Sequence, residues 1–121
     1  MMDLATFEQL VDESLESLPD EIAGWLDNVA IIIAEWPTPE QLAQSGLGPG
    51  NMLLGLYVGV PKTHRGFTYG ETVPDKIVIF KKAFDRYPPE KLPELIANVL
   101  QHEIGHYFGM SEEELAKYKK I

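Results

Sequence analysis

Two histidines four residues apart, His102 and His106, lie within the longest apolar helical pattern of the chain, and no other feature restricts its folding more. Leu92, Leu95, Ile96, Val99, Leu100, Ile104 and Phe108 recur at three- and four-residue spacing around more than one face, as in a largely buried helix. Pro88, Pro89 and Pro93 precede it; Pro93 suits the first turn, Glu94 favours the positive N-terminal end, and Gly109 is a natural stop. Burying two imidazoles and the intervening Glu103 is costly unless each finds a partner. The spacing suggests which one. Residues four apart on an α-helix differ by about 40° in azimuth and roughly 6 Å along the axis. Both rings can therefore converge on one ion at about 2.0–2.1 Å.

The segment reads His102-Glu103-Ile104-Gly105-His106, a His-Glu-x-x-His pattern. Glu103 lies about 100° round from His102, off the ligand line yet within reach of a water on the ion, where a carboxylate accepts the proton. Two histidines leave the site incomplete. Gly109 and then Glu112 follow at three-residue steps. In a continuing helix Glu112 would stand about 9 Å along the axis from His106 and some 240° round. A break at Gly109, which takes positive φ without steric cost, makes Glu112 a credible third ligand, with a fourth position left for water. Glu113 and Glu114 stay open as alternatives. Gly105 on its own reads as a place of close helix packing.

Ahead of this helix, Thr6 and Gln9 form a possible capping box opening an amphipathic helix through Phe7, Leu10, Val11, Leu15 and Leu18. Its acidic residues Asp12, Glu13 and Glu16 read as a solvated face. Pro19 stops that helix and starts a short second one through Glu21, Ile22, Trp25 and Leu26. Val29–Ala34, Leu53–Val58 and Lys76–Phe80 read as strands, their apolarity suggesting burial on both faces. Trp36–Asn51 and Gly59–Asp75 read as long turn-rich connections, and Ser111 opens a last short helix closed by the terminal lysines.

With 121 residues the chain fits one domain, 1–121. Nineteen acidic residues against ten basic give a formal charge of −9, which repels phosphate backbones, so no nucleic-acid partner is expected. The same charge, with Glu103, disfavours a metal-dependent ribonuclease. There is no cysteine, hence no disulfide, thiolate nucleophile or Cys-type zinc site. No signal peptide and no membrane span is read, and a soluble, cytoplasmic domain is the expectation. Gly46–Gly50 lacks the lysine and spacing of a phosphate loop. Tyr107, Tyr69 and His64 are candidate donors to a developing oxyanion; each is more simply packing or an ordinary loop residue.

The stretch His102–Glu112 resembles the signature of zincin metallopeptidases, in the metzincin-like variant with a glycine turn before the third ligand. Phe7–Leu26, Asp27–Glu35, Leu53–Pro61, Pro74–Phe80 and the motif with its tail resemble, in order, a family of very small bacterial zincin-like metallopeptidases. That family usually carries aspartate where this chain has Glu112, and no methionine follows Glu112 to make the methionine turn of larger metzincins. The resemblance implies an α+β, minimal zincin-like core, with a small sheet of about three or four strands packed on a buried active-site helix. It implies Zn2+ held by His102, His106 and Glu112, Glu103 as general base, and a peptide or protein substrate extended along a sheet edge. The competing expectation is a zinc-binding interaction module without catalysis.

Overall fold

The computed structural model describes residues 2–26, 29–46, 52–59, 75–107 and 113, apart from the side chains of His106 and Tyr107. In chain order these form α1 (Leu4–Glu16), α2 (Asp20–Trp25), β1 (Ala30–Ala34), α3 (Pro39–Ser45), β2 (Gly55–Val58), β3 (Lys76–Phe80), 3₁₀ turns at Lys81–Arg86 and Pro89–Lys91, and α4 (Leu92–Tyr107). The architecture is α+β. Among the described residues three strands make one sheet in the order β1-β3-β2, with β1 parallel and β2 antiparallel to β3.

β3 can occupy the centre because both of its faces are apolar. Ile77, Val78, Ile79 and Phe80 are buried, so neither face of the strand needs water. Ile77 and Ile79 face the main core, built with Phe7 and Val11 of α1, Ile22 of α2, Phe84, and Leu92, Ile96, Leu100 and Ile104 of α4. Val78 and Phe80 face a smaller cluster with Leu53 and Ala83. Phe7 and Phe84 meet with ring centroids 5.6 Å apart and planes tilted by 54°, within the range of favourable aromatic pairs. Buried Ser14 of α1 lies within hydrogen-bond distance of Leu10 O (2.7 Å) and Pro93 O (3.0 Å), tying α1 to the start of α4.

Four expectations need correction or restriction. The helix opens at Asp3, whose carboxylate accepts from Thr6 N at 2.8 Å, and not at a Thr6–Gln9 box. A charged acceptor one turn earlier serves the unpaired amides better. Neither β1 nor β2 is buried on both faces: each lies at an edge of the sheet, β1 with residues exposed or half-buried and Ile32 41% exposed, β2 with Leu56, Tyr57 and Val58 half-buried. The stretch from Trp36 is not all loop, since α3 forms there. Thr38 accepts from Gln41 N and Gln41 Oε1 accepts from Thr38 N, with Pro39 in the first turn, a complete capping box. The expected final helix from Ser111 and the stop at Gly109 lie outside the described residues.

Candidate metal centre

α4 brings the motif to the sheet through two stripes of side chains. Ile96, Leu100 and Ile104, spaced by four, are fully buried in the main core. Val99 and Glu103, also four apart, run beside β2. At the first contact β2 carries Gly55, where an added Cβ would stand 2.7 Å from Val99 Cγ1, far inside van der Waals distance. Helix and strand thus touch almost backbone to side chain. Two residues further along β2, about 6.8 Å, match one turn of α4, about 6 Å. The match places Tyr57 opposite Glu103.

The contact there is a hydrogen bond from Tyr57 N to Glu103 Oε1, 2.8 Å long. Its origin lies in the sheet ladder. Phe80 N donates to Leu54 O at 2.9 Å, so Leu54, Leu56 and Val58 turn their backbone groups toward β3. By alternation the amide of Tyr57 points away from β3. β2 is an edge strand, and an unpaired amide half-buried at its rim is costly. Glu103 satisfies it with a charge-assisted bond.

Tyr57 is held at its other end as well. Its hydroxyl donates to Asp75 Oδ2 at 2.7 Å, and Asp75, at the start of β3, is only 4% exposed. Gly59 passes so close to this carboxylate that a Cβ there would stand 2.6 Å from Asp75 Cγ. The sequence pattern singles out neither Tyr57 nor Asp75. Tyr57 reaches Glu103 through its main chain, which no residue pattern marks; Asp75 stands at the end of a stretch that reads as loop.

His102 and Glu103 are half-buried, and α4 is helical through Tyr107, so His102 and His106 stand one turn apart in an unbroken helix. No grouping of three or more metal-ligating residues occurs among the described residues. The side chains of His106 and Tyr107, and all of Glu112, Glu114, Tyr69 and His64, lie outside them; Glu113 is exposed. The donor chemistry suits a borderline divalent ion such as zinc, since two imidazoles at helical spacing with a nearby carboxylate are its ordinary protein ligands.

A family profile described as zincin-like metallopeptidase matches residues 26–120. The chain belongs to this family. No curated protein matches it. Among solved structures, a conserved hypothetical protein from Thermo thermophilus is similar, with 24% identity, TM-score 0.56, and coverage of 95% of this chain and 98% of that one. That likeness concerns the fold. No helix among the described residues of this family member is long and apolar enough to cross a membrane.

Proposed function

We propose that this zincin-like chain is a zinc-dependent peptide hydrolase, with His102, His106 and Glu112 as metal ligands and Glu103 as general base. The observation that carries the reading is the Tyr57 N–Glu103 Oε1 bond, which fixes the motif's carboxylate at the sheet edge beside the helical turn bearing both histidines. When bound, zinc would polarise a peptide carbonyl and acidify its water. Glu103 then takes the water's proton and passes it to the leaving amine. The amide of Tyr57 orients the carboxylate through Oε1. Tyr57 is itself anchored by Asp75, the residue that precedes the central strand, so the base is tied to the sheet at two points.

The test separates metal from base. Glu103→Gln is expected to retain the zinc stoichiometry of the wild type by elemental analysis while losing cleavage of a broad peptide library, by about 100-fold or more. Glu112→Ala is expected to lose bound zinc. A wild-type protein that binds zinc stoichiometrically yet cleaves no library member would establish the interaction module instead.

A further inference from the structure

The two edges of the sheet are finished differently. On β2 the outward amide of Tyr57 is taken by Glu103. On β1, Ala30 N donates to Asp75 O at 3.1 Å, so Ala30, Ile32 and Ala34 turn their backbone groups toward β3. By alternation, Ile31 and Ile33 present theirs at the outer edge, where neither pairs with a described residue. Native edges are usually protected by a lysine, a proline, a bulge or a covering element. The Ala-Ile-Ile-Ile-Ala sequence of β1 has no such residue.

Beside this edge runs a groove of about 300 Å³ between β1 and α1, lined by Ile31, Ile33, Leu4, Val11, Leu15 and the carboxylates of Glu8 and Asp12. The lining mixes apolar side chains with a comparable share of polar surface, and both of its charged residues are acidic. Leu4 is 52% exposed at its mouth. The groove is distant in sequence from α4 and shares no residue with the candidate metal centre.

We propose that this edge and groove bind an extended polypeptide segment that presents both apolar and basic residues on one face, added to the sheet beside β1. Its main chain pairs with the outward groups of Ile31 and Ile33. Because side chains alternate along a strand, every second one faces α1; among these, apolar side chains enter the groove and basic ones meet Glu8 and Asp12 in its lining. This is strand addition with pockets supplying specificity. The charge chooses between occupants: a second copy would carry the same net −9 and the same two carboxylates to the interface, whereas a basic segment is attracted.

The experiment uses the full chain carrying Glu103→Gln, so that cleavage does not interfere. Fluorescence anisotropy measures binding of a labelled octapeptide whose every second residue is valine or lysine in turn, with threonine between, so that valine and lysine share one face, and of its counterpart with glutamate for lysine. Saturable binding of the lysine peptide alone is expected. Ile33→Pro should weaken it at least about tenfold, since it removes an outward donor while sparing the ladder to β3. Glu8→Lys with Asp12→Lys, both exposed positions on α1, should weaken it similarly and carries the test if the proline variant does not fold. His102→Ala should leave affinity unchanged, a result independent of whether the chain is a peptidase. Equal binding of both peptides, indifference to the α1 charge reversal, or loss of binding in His102→Ala would each overturn the proposal. So would a dimer in sedimentation equilibrium that Ile33→Pro dissolves, which would assign the edge to self-association.

Discussion

Replacing Gly55 by alanine tests the contact on which the geometry around Glu103 depends. The new methyl would lie 2.7 Å from Val99 Cγ1, 3.3 Å from Ile79 Cδ1 and 3.3 Å from Val78 O. Carbon atoms rest at about 3.5–4.0 Å, so β2 and α4 must separate by about 1 Å. Val99 cannot yield easily, because a β-branched side chain in a helix is held in one rotamer. Overpacking of this kind costs about 1–3 kcal/mol. With a urea m-value of about 1–3 kcal/mol/M for a small domain, the midpoint should fall by roughly 1 M. The same displacement would stretch the 2.8 Å Tyr57–Glu103 bond beyond hydrogen-bond range. Paired with Val99→Ala, which opens space for the methyl, the double variant should regain part of the loss in a double-mutant cycle. A neutral Gly55→Ala, or a cycle with no coupling, would refute the packing argument.

Three further outcomes follow from other contacts. Gly24 in α2 has no atom within 4 Å of an added Cβ, so Gly24→Ala should raise stability by about 0.5–1 kcal/mol in the same urea assay, opposite in sign to Gly55→Ala. Tyr57→Phe removes a donor from the buried Asp75 carboxylate and should cost about 1–3 kcal/mol; if the midpoint does not move, that bond contributes nothing. Hydrogen bonds from Thr6, with help from Lys81, hold the Asp3 carboxyl below its ordinary value of 3.8. A depressed folded pKa gives stability that is present above the unfolded value and lost as pH falls through the folded one. Asp3→Ala should therefore lower the melting temperature near neutrality, with a difference from wild type that narrows in acid; a pH-independent difference would contradict the capping role.

Elements with a strong local sequence signal are the most legible. β3 spans Lys76–Phe80 as read, because an unbroken apolar run bounded by breakers has few other uses. α4 was legible from its apolar spacing and Pro93. α3 carries a local signal too: Thr38-Pro39-Glu40-Gln41 is a helix start, masked by the glycines and prolines around it. The 3₁₀ turn at Lys81–Arg86 carried no comparable signal, though Phe84 within it is one of the most buried residues. The apolarity of β1 suggests burial, whereas sheet order leaves it at an edge.

The amino-acid sequence by itself determined that His102 and His106 stand one turn apart on a buried helix with Glu103 between them, since helical pitch and apolar spacing are properties of neighbouring residues. Tertiary structure alone decided what Glu103 touches. Its partner is a main-chain amide 46 residues away, exposed only because β2 took the edge beside β3 and pressed Gly55 against Val99. Any residue type but proline supplies such an amide, so the donor is written in strand order and close packing, not in side-chain identity.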